Sequence, residues 1–288
     1  VDYDENAHRR GPFADVCMRH LRAADRTASV AFAAAAAFPE MRYDVYVLSD
    51  HGQVASIPFA SLDGCDLPAF LRAAAEGPDA AARHRRLRTL GDRLPAGPGW
   101  IAQHLARKDA RPPAGVEIVD AGDIAHLYFT GSREPLPLDG IERTQPRILA
   151  ALQASDAIPF LAARGPAGAV VLSAGRTYHL AEGLHRAALE EVPAFRGPER
   201  ALLLRYVERL IAMPSSGDLV LYGNRSAGDA AVAFSWEFGS HGGIGPDEVE
   251  AFVLHPAEAE FDFARVTFPE ELHAWFVRYR PHDVLRTA

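Results

Sequence analysis

The sequence predicts an α/β domain, and three observations lead there. Val45-Tyr46-Val47-Leu48 is a short, unbroken apolar run, the pattern of a strand buried on both faces at the centre of an α/β sheet. From Val116 onward, short strand-like runs alternate with helical patterns. Residues 199–213 put Leu202, Leu203, Tyr206, Val207, Leu210 and Ile211 on one helical face, which needs a sheet or helix to pack against.

Taken in chain order, residues 13–36 read as an amphipathic helix: Phe13, Val16, Cys17, Leu21, Ala24, Ala28, Ala31 and Phe32 recur at three- and four-residue spacing, and Phe38-Pro39 closes it. The strand at 45–48 ends in Ser49-Asp50-His51-Gly52. Helical pieces follow at 67–75 and 80–90, then a Pro/Gly turn at 95–98; the basic cluster His84-Arg85-Arg86-Leu87-Arg88 reads as a solvated helix face. Strands are expected at 116–119, 126–130, 219–222, 232–236 and 252–254, with a hairpin joining 169–173 to 177–181 across Ala174-Gly175-Arg176. Helices are expected at 145–154 and 269–279. No repeat and no linker divides the chain, so residues 1–288 are expected to form a single domain.

Composition narrows the function. With 48% hydrophobic and 24% charged residues, the 288-residue chain is globular rather than disordered. The longest largely apolar stretch, residues 28–38, is about half of the roughly 20 residues that span a bilayer, so no membrane-spanning segment is expected. A net charge of -8 leaves no basic excess for a nucleic-acid surface and suits a protein that holds cations. Two cysteines, Cys17 and Cys65, support neither a disulfide framework nor a Cys-based zinc site. Lys108 is the only lysine among 30 basic residues, a compositional bias that drains meaning from any arginine cluster.

Three clusters contain residues that bind divalent metals. Asp4 and His8 are four apart and share one face of a helical turn. Asp50 and His51 stand at the carboxyl end of the apolar strand, where ligands gather in open α/β sheets. His241 lies in Gly239-Ser240-His241-Gly242-Gly243, whose glycines let backbone approach closely while an imidazole is presented. Ser49, Asp50 and His51 make no catalytic triad, because consecutive residues alternate in direction. The glycines around His241 do not follow the dinucleotide spacing GxGxxG. His20, His84, His104, His126, His179, His185, His255, His273 and His282 read as surface or core residues, as do Tyr178 and Trp236.

In order and context, Tyr3 to Pro12 (YDENAHRRGP), Val45 to Gln53 (VYVLSDHGQ), Phe238 to Gly243 (FGSHGG) and Phe252 to Pro256 (FVLHP) resemble the alkaline phosphatase superfamily, in its type I phosphodiesterase/nucleotide pyrophosphatase branch. The resemblance implies a central, largely parallel sheet flanked by helices on both faces. It implies two divalent ions, zinc or else manganese: Asp4, His8 and His241 would hold one, and Asp50 and His51 the other. It also implies a covalent phospho-enzyme on a Thr or Ser. The family places that nucleophile, a further ligand and its first strands upstream of the Tyr3-Asp4 motif, so the chain is expected to be the carboxyl-terminal part of such an enzyme, without its N-terminal strands. Residues 63–113 match nothing in the pattern and are expected to be an insertion or cap. The expected function is hydrolysis of a phosphodiester or nucleotide pyrophosphate bond in a small-molecule phosphate ester. Alternatives are hydrolysis of a phosphomonoester, phosphonate or sulfate ester, or a degenerate binding module. The parent would be exported, membrane-tethered or neither, on segments outside these residues.

Overall fold

The computed structural model describes residues 3–77, 111–226 and 228–279, which fall into two compact units, Val1–Arg22 with His51–Glu250 and Ala23–Asp50 with Ala251–Ala288. The helices, in chain order, are α1 (Tyr3–Arg10), α2 (Asp15–Ala37), α3 (Phe59–Asp63), α4 (Leu67–Glu76), α5 (Leu138–Thr144), α6 (Pro146–Gln153), α7 (Gly183–Ala188), α8 (Arg200–Ala212), α9 (Pro246–Val249) and α10 (Pro269–Phe276). The strands are β1 (Val47–Leu48), β2 (Val54–Pro58), β3 (Val116–Ala121), β4 (Ile124–Phe129), β5 (Phe160–Gly165), β6 (Gly168–Ser173), β7 (Arg176–His179), β8 (Leu219–Tyr222), β9 (Ala231–Ala233), β10 (Gly239–Ser240) and β11 (Val253–Leu254). The helix expected at 80–90, the turn at 95–98, the basic cluster around Arg86, and His84, His104 and His282 lie outside the described residues, as does most of the expected insertion.

The class is mixed α/β, but the main sheet differs from the largely parallel one expected. Six strands in the order β3-β4-β8-β5-β6-β7 pair antiparallel throughout. The reason is connection length. Hairpins close at Ala121↔Ile124, Gly165↔Gly168 and Ser173↔Arg176, far too tightly for the crossover a parallel pair requires. At the last of these, Ala174 and Gly175 both take positive φ, 48° and 74°, as a primed two-residue turn demands.

Alternation along these strands builds two cores. On one face Leu127, Phe129, Leu161, Val170, Leu219 and Leu221 pack with Phe59, Leu71, Ile148 and Leu152. On the other, Phe160, Ala162, Val171, Val220 and Tyr222 pack with Leu203, Leu204, Val207 and Ile211 of α8 and with Phe195. Helices therefore cover both faces of this sheet, and each fully buried Leu or Phe contributes about 1.5–3 kcal/mol relative to exposure. Asp66 caps α4 by accepting from the Ala69 amide at 3.0 Å.

A smaller sheet, β10-β2-β9, carries the residues of interest. Here β2 runs antiparallel to β10 and parallel to β9, the only parallel pair among the described residues. Two glycines allow its close packing. A Cβ on Gly239 would stand 2.5 Å from the Ala7 carbonyl oxygen of α1, and one on Gly52 would stand 2.0 Å from that of Asp247.

In the second unit, β1 pairs antiparallel with β11 through Val47↔Leu254 and Leu48↔Val253. The strand expected to be buried on both faces is thus one of a two-stranded ribbon, with Leu48 47% exposed. Tyr46 stands edge-on to Trp275 (5.4 Å between centroids) and Phe276 (5.3 Å), and Phe261 and Phe263 complete the aromatic cluster around Trp275. No helix among the described residues is long and apolar enough to cross a membrane.

Candidate metal centre

Four separated residues of the first unit converge. One turn of α1 puts His8 Nε2 3.3 Å from Asp4 Oδ2, as the four-residue spacing predicts. Buried Ala7, between them, presses α1 onto β10, and the Phe238 amide donates to the His8 carbonyl at 2.7 Å. Ser240 pairs with Val54, so the next register position sets His241 opposite Gln53 and near His51. His241 Nε2 comes 3.1 Å from His8 Nε2 and 3.4 Å from Asp4 Oδ1. The His51 ring stacks on that of His241 at 3.8 Å. Donor atoms of Asp4, His51 and His241 lie within 4.8 Å of one another.

These residues fit a divalent metal. His8 Nδ1 is hydrogen-bonded to the Gly239 carbonyl at 2.8 Å, and His51 Nδ1 to the Gly52 carbonyl at 2.8 Å. A carbonyl only accepts, so each ring's proton belongs on Nδ1 and its lone pair on Nε2, the usual outer arrangement of a metal-bound histidine. Spacing agrees as well. Tetrahedral zinc with bonds of about 2.0–2.1 Å sets its ligands roughly 3.3 Å apart, close to the contacts among Asp4, His8 and His241.

Of the five expected ligands, Asp4, His8, His51 and His241 come together. His51 joins the group around His241, whereas the resemblance would assign it with Asp50 to another ion. Asp50 is exposed and ends its segment of the second unit.

Several partners had no signal at the level of sequence. Gln53 Nε2 donates to Asp4 Oδ1 at 3.2 Å, fixing that carboxylate. Glu237 brings Oε2 to 3.1 Å from His8 Nδ1 as an ion-pair contact, yet that buried oxygen has no hydrogen-bond donor among the described residues. A cation on His8 Nε2 would polarise the ring toward Glu237 and offset its charge. Glu237 could have been suspected only from its place four residues before His241.

Beneath the 239–245 loop lies a buried polar network. Asn224 Nδ2 donates to Asp123 Oδ2 (2.8 Å) and Glu248 Oε2 (2.5 Å), and its Oδ1 accepts from the Ile244 amide (2.9 Å). Ser240 donates to Asp123 Oδ1 at 3.0 Å, and the Gly245 amide to Glu248 Oε2 at 2.8 Å. Burial, reinforced by the charge of Asp123, pushes the Glu248 carboxyl up to about 9, and burial raises that of Asp123 too. The pair keeps a proton at neutral pH.

A cavity of about 420 Å³ opens beside Gln53, with Phe13, Asp229, Asp247 and Glu250 on its wall. Compared with protein-family models, curated proteins and solved structures, the chain matches none. Three imidazoles and a carboxylate suit borderline divalent cations such as zinc better than magnesium or calcium.

Proposed function

We propose that this chain supplies the metal-binding part of a hydrolase that cleaves a phosphodiester or nucleotide pyrophosphate bond, with an alkaline phosphatase-like architecture. The observation that carries the proposal is the convergence of Asp4, His8 and His241 at 3.1–3.4 Å, with His51 stacked alongside. Their order along the chain is that of the resembling family's ligands. The parallel pair of β2 with β9, just after His51, supports the architecture; the antiparallel six-stranded sheet departs from it.

Bound divalent ions would polarise a phosphoryl oxygen and lower the pKa of the attacking hydroxyl. The chain's own residues do the holding. The Gly239 and Gly52 carbonyls aim His8 and His51, Gln53 steadies Asp4, and Glu237 backs His8. The cavity beside Gln53 suits the part of the substrate beyond the phosphate, because its three carboxylates disfavour a second anion there. The resemblance implies a Thr or Ser as the nucleophile.

Elemental analysis of the purified chain, together with hydrolysis of bis-p-nitrophenyl phosphate, tests this reading. One or two zinc or manganese ions per chain, at least one of them lost on His241→Ala together with any diester turnover, is the expected result. If His241→Ala holds as much metal as the wild-type chain, or the metal-loaded protein cleaves only sulfate or monoester substrates, the proposal fails.

A further inference from the structure

We propose that His179, Glu182 and His185 form a second divalent-metal site, at the end of the outermost strand of the six-stranded sheet. The inference is independent of the hydrolase reading and shares no residue with the centre around Asp4.

The three residues are spaced three apart across a strand end, a turn and a helix. His179 ends β7, Glu182 sits in the turn, and His185 lies in α7. One donor atom of each lies within 4.8 Å of the others. His185 Nδ1 is 3.5 Å from Glu182 Oε2, close to the separation of two ligands on one ion, and the two imidazoles face each other at 5.5 Å and 30°.

The backbone beneath them is held tightly. The Glu182 amide donates to the His179 carbonyl at 3.0 Å, and the Arg186 amide to the Glu182 carbonyl at 2.9 Å. The Arg186 guanidinium donates to the Leu180 carbonyl at 3.0 Å and pairs with Glu208 of α8. Tyr178, Leu180 and Leu189 are all buried, so the chain is anchored on its inner side while the three ligands stay outward. Such a scaffold fixes ligand geometry before a metal arrives.

Two imidazoles and one carboxylate select borderline ions such as zinc, cobalt or nickel, with remaining positions left to water. His185 Nδ1 now accepts the His179 amide at 3.1 Å. A metal bound there takes over that lone pair and releases one backbone hydrogen bond, so this site binds more weakly than the centre around Asp4. Its effect would be to clip the free edge strand β7 to α7.

Cobalt(II) titration of the metal-free chain, followed by visible absorption and calorimetry, tests the proposal. The variant Asp4→Asn/His241→Ala is expected to retain one equivalent of cobalt, which His179→Ala/His185→Ala then abolishes. Glu182→Gln, at an exposed carboxylate that leaves the fold intact, is expected to weaken that equivalent at least about tenfold. The proposal is overturned if Asp4→Asn/His241→Ala binds no cobalt, or if its remaining equivalent survives the His179→Ala/His185→Ala change. Neither overturning result alters the fate of the Asp4 centre, which is read from the metal lost between the wild-type chain and His241→Ala.

Discussion

Adjacent residues of one loop serve two polar clusters of opposite character. Ser240, fully buried, points inward to Asp123, while His241, 29% exposed at its side chain, turns outward to Asp4 and His8. In the inner cluster, Asn224, Ser240 and a backbone amide donate to two carboxylates from within the protein, and Glu248 Oε1 alone of their oxygens is buried with no hydrogen-bond partner among the described residues. In the outer one, imidazole lone pairs and a carboxylate aim at the same point. Polar groups that answer one another hold a fold together, whereas convergent donor atoms at a partly exposed surface can take a ligand from outside. The comparison makes distinct demands on substitutions at the two clusters.

The largest effect is expected from Asn224→Ala. It leaves two buried carboxylates facing each other and the Ile244 amide unpaired. Breaking such a network should cost about 3–5 kcal/mol, read as a shifted urea midpoint. If the midpoint barely moves, the inner cluster is not structural and the contrast collapses.

His241→Ala should do the reverse. Zinc affinity, measured by competition with a chromophoric chelator, should fall at least about 100-fold. The metal-free chain should lose less than about 1 kcal/mol, because the side chain is partly exposed. A large loss of stability with affinity unchanged would make His241 a packing residue.

Acidity sharpens the contrast further. The folded Glu248 carboxyl is raised from 4.5 to about 9, chiefly by burial. Below pH 4.5 the folded and unfolded chains are both protonated there, and the contribution to stability is whole. Above that, the unfolded chain releases its proton first, so stability declines until the folded group ionises near 9. Asp123, shifted the same way, adds to the slope. Glu248→Gln should flatten this decline and make the chain more stable than wild type at pH 8–9, as thermal melts across the range would record.

What could be read in the sequence follows the same division. Elements with strong periodicity, such as α2 and α8, and the hairpin of β6 with β7, stand where their patterns put them. The parallel main sheet did not materialise, because an apolar run at Val45 to Leu48 looks the same whether it ends in a wide sheet or a two-stranded ribbon. Strand β2, which orients His51, was missed: Val54-Ala55-Ser56-Ile57-Pro58 is short and ends in proline. Asp4, His8, His51 and His241 were legible because glycines and order mark them. Glu237, Asn224 and Glu248 were not, since their importance lies in contacts made across long separations. Nor was the trio around Glu182, where each histidine taken alone looked incidental.

The smallest effect, and the finest test, belongs to Glu237. Its Oε2 sits 3.1 Å from His8 Nδ1 and is buried without a hydrogen-bond donor among the described residues. A carboxylate left in that state costs free energy in the metal-free chain. With a metal on His8 Nε2, the same carboxylate strengthens the ring as a ligand. Glu237→Gln removes the charge and keeps the shape, so the two states should respond oppositely. Zinc affinity should fall about tenfold, near the lower limit for an outer partner of a metal-bound histidine, while the metal-free chain becomes slightly more stable. Paired chelator competition and melting of the metal-free variant measure both changes. Equal loss in both would place Glu237 with the inner cluster, as a structural group, and leave His8 aimed by the Gly239 carbonyl alone.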